Sequence, residues 1–205
     1  MGTLIDYVEA EKLLKKYNIK SVESMYVNTA EEAIGFSKGK RIVLKVLSQE
    51  AMHKSKNGLV ELDLSTESAI KEAFERLKKK ARNFKQYKIL AQKMVNNGIE
   101  IIIGGNTDPQ FGKLVIVGLG GIYVETFKDF ASRVCPIREY DAESMINQLK
   151  SKDIIAKDEK TRKQIVSLLM NVSRLFYENN ITEIDLNPII IHDGTYDAVD
   201  LRFIR

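Results

Sequence analysis

Ile165, Leu168, Leu169, Val172 and Phe176 fall on one face of a helix and form the strongest apolar stripe in the chain. A helix with one apolar face must cover something, and the residues that follow supply it. Glu183–Leu186, Ile189–His192 and Asp197–Phe203 read as three β segments, with Asp193-Gly194 as the turn between the last two. Helices set on a sheet of this kind make a mixed α+β lobe.

The N-terminal part gives a second, smaller mixed lobe. Leu4, Val8, Leu13, Leu14 and Tyr17 keep a loose helical stripe, and Ser21–Val27 favours β structure. Thr29-Ala30-Glu31-Glu32 is a capping box that opens a helix running to about Ser37, with Gly39 ending it. Arg41–Leu47 reads as a buried strand and Leu59–Leu64 as an alternating one. Ala69, Ile70, Ala73, Phe74 and Leu77 mark a clear helix. Lys88–Val95 is the next strand. Asn96-Asn97-Gly98 then predicts a hairpin into Ile99–Ile103, Gly104–Pro109 a second turn, and Lys113–Val117 a further strand. Asp141 is expected to cap a helix carrying Ala142, Met145, Ile146 and Leu149, and residues 151–160 are charged and expected to be exposed. The division expected is an N-terminal helix over residues 1–20 packed on the large lobe, a small lobe over 21–91 and a large lobe over 92–205. Two lobes joined at one strand invite a ligand between them.

Composition removes several classes of function. The 205 residues carry 32 Lys+Arg against 28 Asp+Glu, a net charge of +4, with 44% hydrophobic and 29% charged residues, as in ordinary globular domains. Apolar runs such as Ile99–Ile103 fall far short of the roughly 20 residues of a membrane helix, so no membrane role is expected. No apolar segment of the secretory kind follows the N-terminus. A single cysteine, Cys135, excludes an internal disulfide and fits a reducing cytoplasm. The basic run Lys78-Lys79-Lys80-Ala81-Arg82 ends a helix and reads as a solvated face. With no tryptophan and no aromatics interleaved, no nucleic-acid partner is expected.

Several residues carry chemistry. Lys45 interrupts the apolar strand Ile42–Leu47: it is either a phosphate clamp on an inner face or an edge-strand lysine turned to water. His53 lies in the polar stretch Ser48–Gly58, as a reversible phosphoryl carrier or as an ordinary loop histidine. His192, before the Asp193-Gly194 turn, is given a structural or solvated role. In Glu183–Pro188, Asp185 and Asn187 are two apart on a strand and share a face, and Asp200 comes from the neighbouring strand of the same hairpin. Such hard oxygen donors suit Mg²⁺ bridging a nucleotide's phosphates; a solvated sheet face is the alternative. Gly118-Leu-Gly-Gly-Ile122 is neither a dinucleotide fingerprint nor a phosphate loop, but its glycines permit a tight backbone turn.

Taken together these blocks resemble the nucleotide-binding β chain of the ADP-forming acetyl-CoA synthetases, the NDP-forming acyl-CoA synthetase family. Arg41–Val60 is similar to that family's segment of strand, lysine, histidine and paired glycines. In the same order follow Ile89–Met94, Gly98–Gly104, Asp108–Gly112, Gly118–Glu125, Asp129–Pro136, Glu183–Pro188 and Ala198–Arg202. The resemblance implies an ATP-grasp fold, two lobes with a nucleotide cleft between them. It implies that Lys45 holds ATP phosphates, that His53 carries a phosphoryl group between subunits, that Gln92 and Met94 lie beside the adenine and that Glu100 bonds the ribose. It further implies Mg²⁺ at Asn187 and Asp200 with Asp185 beside them, and Gly120, Gly121 and Glu125 near the docking site of a partner's phosphohistidine loop. Two departures stand out. Leu59 and Lys56 replace a glycine and an aspartate of the histidine segment, and no GyRG-like run occurs in Lys152–Arg162.

The reaction so implied is acyl-CoA + ADP + phosphate giving carboxylic acid + CoA + ATP. The chain has no room for a CoA-binding domain besides the grasp fold, so an α subunit that binds CoA and makes the acyl phosphate is expected. The relay histidine solves a transport problem, since acyl phosphate forms in one subunit and ADP waits in the other. Another ATP-grasp carboxylate ligase without a relay, and a non-catalytic nucleotide-binding or regulatory subunit, are the alternatives.

Overall fold

The computed structural model of the chain describes residues 2–50, 58–121 and 129–205. These divide into two compact units, Val22–Asn96 and a second made of Met1–Ser21 with Asn97–Arg205.

The smaller unit is a four-stranded antiparallel sheet covered by two helices. Its elements are β1 (Ser24–Val27), α2 (Ala30–Ser37), β2 (Ile42–Leu47), β3 (Val60–Leu64), α3 (Glu67–Ala81) and β4 (Lys88–Lys93), with sheet order β1-β4-β2-β3. The Thr29 hydroxyl accepts from Glu32 N at 3.2 Å, as a cap should. Glu32, however, reaches back to Asn28 N at 2.7 Å, one residue beyond the box expected. Lys38 (φ 47°) already turns left-handed before Gly39 (φ 72°), so two residues share the exit from α2. Ile42, Leu44 and Val46 of β2 pack with Ile70, Ala73, Phe74 and Leu77 of α3 in one core. Phe74 is 1% exposed, and burying such a side chain contributes about 1.5–3 kcal/mol.

The larger unit begins with α1 (Tyr7–Lys16), capped by Asp6, which accepts from Val8 N at 3.0 Å. Leu4 is not helical: it bridges to Ile204, because residues 3–5 pair with the C-terminal strand, Ile5 N donating to Phe203 O at 2.8 Å. Then come β5 (Ile99–Asp108), β6 (Gly112–Leu119), β7 (Phe130–Val134), α4 (Glu139–Gln148), α5 (Lys152–Ile155), α6 (Glu159–Glu178), β8 (Glu183–His192), β9 (Thr195–Ala198) and β10 (Leu201–Ile204). The sheet order is β10-β8-β5-β6-β7, with β9 also on β8, all antiparallel. The α+β reading therefore holds. Ile101 and Ile103, Val115 and Val117, and Ile184 and Leu186 are buried on the face that meets α6, whose Leu168, Leu169, Val172 and Phe176 are buried with them.

Five local expectations are corrected. There is no hairpin at Asn96–Gly98: β4 is paired on both sides, with β1 and β2, so β5 crosses to the other sheet and pairs with β6 and β8. Gly104–Asp108 continues β5 rather than turning, and the turn is Pro109–Phe111, where the Asp108 carboxylate accepts from Gln110 N and Phe111 N at 2.8 and 2.9 Å. Asp141 does not cap α4; it sits in the first turn and accepts from Arg138 N at 2.9 Å. Asp197–Phe203 is two strands, and Glu183–His192 is one.

Candidate functional site

β2 is an interior strand of the small sheet, and that decides the position of Lys45. Its neighbours in register are Leu90 on β4 and Val60 on β3. Ile42, Leu44 and Val46 point to the helix side, so alternation sends Val43 and Lys45 to the opposite face. Lys45 is 8% exposed there, so the edge-strand alternative does not hold. Gln92 lies on the same face, opposite Val43 and fully buried. The end of β4 is pinned from the helix side: the Lys93 amine donates to Phe36 O and, at 2.9 Å, to Ser37 O, closing the C-terminus of α2. Burial holds this amine below the usual lysine range. Met94 N donates to Arg41 O at 3.1 Å, so that main-chain donor is committed to the small sheet.

In the large unit, Glu100, Gly120 and Gly121 come together. Gly120 N donates to Glu100 O at 2.7 Å. A Cβ on Gly120 would lie 2.9 Å from Glu100 C and 3.0 Å from its O, and Gly121 has φ +71° with Glu100 Oε2 3.1 Å from its would-be Cβ. Those glycines therefore let the chain lie against Glu100 itself. Glu100 is exposed.

Asp185, Asn187 and Asp200 occupy nearby positions where β8 passes from β9 to β10. β8 pairs with β9 through Ile189↔Ala198 and with β10 through Leu186↔Leu201, in one unbroken register. Between those pairs Asn187 stands opposite Asp200, and Pro188 opposite Val199, whose N donates to Pro188 O at 3.0 Å. Asp185 pairs with Arg202 on one side and Gly104 on the other. Ile184 and Leu186 are buried toward α6, so Asp185 and Asn187 face away from it, Asn187 exposed and Asp185 and Asp200 half-buried. A proline is tolerated at this point because the β5–β8 register shifts between Ile101 and Ile103.

The donor set fits a hard cation that keeps other ligands. Among the described residues no three His, Cys, Asp or Glu side chains converge. Two carboxylates and a carboxamide suit an ion completed by water and phosphate oxygens better than a closed protein cage. His53 and Glu125 lie outside the described residues, as do Lys56 and Ile122. His192 is structural: its Nε2 lies 2.7 Å from Asp197 Oδ2, and Lys20 Nζ is 3.2 Å from Oδ1 of the same aspartate. Arg202, two residues after Asp200 and in register with Asp185, was not singled out from the sequence, where that two-residue spacing was the available signal.

Residues 2–204 match the family of ATP-grasp domains. The chain is 37% identical over 207 residues to the subunit β of ADP-forming acetate–CoA ligase I of Pyrococcus furiosus, covering 96% of this chain and 89% of that one. Among solved structures it is similar to the dinucleotide-forming acetyl-coenzyme A synthetase 1 of Ca. Korarchaeum cryptofilum in complex with coenzyme A and Ca-AMPCP. There the TM-score is 0.87 with 34% identity, over 99% of this chain and 93% of that chain. A second structure of that enzyme, with coenzyme A and Mg-AMPPCP and its phosphohistidine segment pointing towards the nucleotide-binding site, matches with TM-score 0.81 and 34% identity over 98% and 92%.

Proposed function

The chain belongs to the ATP-grasp domain family, and from that premise we propose that it is the nucleotide-binding β subunit of an ADP-forming acyl-CoA synthetase. It is a ligase of the ADP-forming acetate–CoA type, working beside an α subunit that binds CoA and forms the acyl phosphate. The observation that carries this reading is Lys45, a cation 8% exposed on an interior strand and flanked by apolar residues. A fixed ammonium on the face that also carries Gln92 is a point charge suited to a nucleotide's phosphates.

The residues divide the work as follows. Lys45 holds the phosphates. Gln92 and Met94 lie beside the adenine, Glu100 takes the ribose, and Gly120 and Gly121 shape the backbone against Glu100. Asn187 and Asp200, with Asp185 beside them, hold Mg²⁺, which when bound neutralises phosphate charge. His53 attacks the acyl phosphate: a P–N bond forms, the P–O bond to the acyl group breaks and the carboxylate leaves. An oxygen of the ADP β-phosphate then displaces the imidazole and ATP forms. Positioning and charge neutralisation supply most of the rate in such transfers. Among the described residues no helix is long and apolar enough to cross a membrane, and the lone cysteine suits a reducing cytoplasm.

The test runs the last step backwards. The purified chain is incubated with γ-labelled ATP and Mg²⁺. Acid-labile, base-stable phosphate on the wild type and none on His53→Ala is expected. Nucleotide binding without label, alone or with a CoA-binding chain from the same source, would leave a non-catalytic subunit. Product formation without label would leave a carboxylate ligase that uses no relay.

A further inference from the structure

Glu183 and Asp185 on β8, Asp200 before β10 and Arg202 within it alternate onto the face turned away from α6. Arg202 stands in register with Asp185, and its Nη2 lies 3.1 Å from Glu183 Oε1. Its side chain is 38% exposed, yet its Nε is shut off from solvent and meets no acceptor among the described residues. The guanidinium is thus fixed in place from one edge, with part of its positive charge uncompensated by hydrogen bonding. Cross-strand neighbours are about 5 Å apart at Cβ, so this charge acts directly on the carboxylates around it.

That arrangement poses a problem of sign for the site proposed above. Carboxylates that favour a divalent cation repel the polyanion that must arrive with it. We propose that Arg202 is the positioning residue that resolves this: pinned by Glu183, it offsets the Glu183, Asp185 and Asp200 carboxylates so that a nucleoside diphosphate can enter beside the metal. The inference rests on the nucleotide-binding reading and deepens it by naming what sets the charge balance there.

The charge argument makes three ligands behave differently. Metal-free ADP is the most negative, Mg-ADP less negative by the two charges of the metal, and the metal ion alone positive. In Arg202→Met, metal-free ADP binds about tenfold more weakly and Mg-ADP only about threefold, while Mn²⁺ used alone as the metal probe binds at least as tightly as in the wild type. Arg202→Lys restores all three. Glu183→Gln has the opposite sign and tightens metal-free ADP. Added salt shrinks these differences.

Isothermal titration of the full chain with metal-free ADP, Mg-ADP and Mn²⁺ tests this without any turnover. A merely structural role would weaken all three ligands alike in Arg202→Met and leave Arg202→Lys impaired, and that result overturns the inference. So does Glu183→Gln binding metal-free ADP no more tightly than the wild type, a comparison that stands even if Arg202→Met fails to fold. A wild type that binds ADP while every variant binds like it removes Arg202 and leaves the nucleotide site standing. A wild type that binds no nucleotide removes the nucleotide reading itself, and this inference with it.

Discussion

The register that pairs Leu186 with Leu201 and Ile189 with Ala198 brings Asn187 level with Asp200, although the chain between them turns at Asp193-Gly194 and makes all of β9. The register does not slip on either side of this pair, so one carboxamide and one carboxylate are held side by side by main-chain hydrogen bonds made elsewhere.

Asp200→Ala is expected to raise the Mg²⁺ concentration needed for half-maximal labelling from ATP by about tenfold, the loss of one charged ligand. Asp200→Asn should fall between the two. A magnesium titration of histidine labelling checks it, and an unchanged midpoint would remove Asp200 from the ligand set.

Lys45→Met removes the buried cation from the face that carries Gln92. ADP binding is expected to weaken by at least about tenfold, as for a charge-assisted contact. Competitive displacement of a fluorescent nucleotide measures it. Equal affinity in the variant would mean that the amine faces no phosphate.

Gly120→Ala places a methyl 2.9 Å from the carbonyl carbon of Glu100 and against the bond from Gly120 N to Glu100 O. Backbone cannot swing aside as a side chain can, so a loss of about 1–3 kcal/mol is expected, read as a lowered Tm. Gly121→Ala, at φ +71°, should lose about 1 kcal/mol through its backbone conformation alone. A Gly120→Ala protein melting like the wild type would contradict the close approach.

The elements visible in the sequence are those that obey local rules, and the misread ones answer to distant neighbours. The α6 stripe and the apolar run of β2 carry their own period, so both were legible. Gly104-Gly105 looks like a turn, yet both pair within β5, and residue 105 is glycine because a Cβ there would meet Leu114 O at 2.8 Å and the Phe176 ring at 3.0 Å. Nothing near residue 105 announces a phenylalanine 71 positions later. Asn96-Asn97-Gly98 has the composition of a hairpin loop, but β4 was already claimed by β1 and β2 from earlier in the chain. At the site, the strand Glu183–Pro188 showed that Asp185 and Asn187 share a face. That Pro188 does not end the strand depends on the shifted register of β5, which only the assembled sheet reveals.

Asp129 supplies the clearest dependence on pH. Its carboxylate accepts from Lys150 N at 2.8 Å, Ser151 N at 2.9 Å and the Ser151 hydroxyl at 2.5 Å. Burial pushes its pKa up, but the bonds from Ser151 and the two main-chain groups outweigh that and hold it below the usual carboxylate range. The folded chain therefore binds fewer protons here than the unfolded chain. The stabilisation is complete above the ordinary aspartate pKa of about 3.9 and is lost as pH falls through the lower folded value. Asp129→Asn should cost about 1–3 kcal/mol at neutral pH and flatten the loss of stability below about pH 4. Urea unfolding at several pH values would show it; parallel curves for variant and wild type would contradict the assignment.

Because β8 is flanked by β5 on one edge and by β9 and β10 on the other, it works as a ruler for the whole lobe. Sliding it by a single residue would turn Leu186 outward and bring Asn187 into the core in one movement. Descendants of this chain can therefore exchange the outward side chains along the strand. Lengthening or shortening it would cost them the lobe itself.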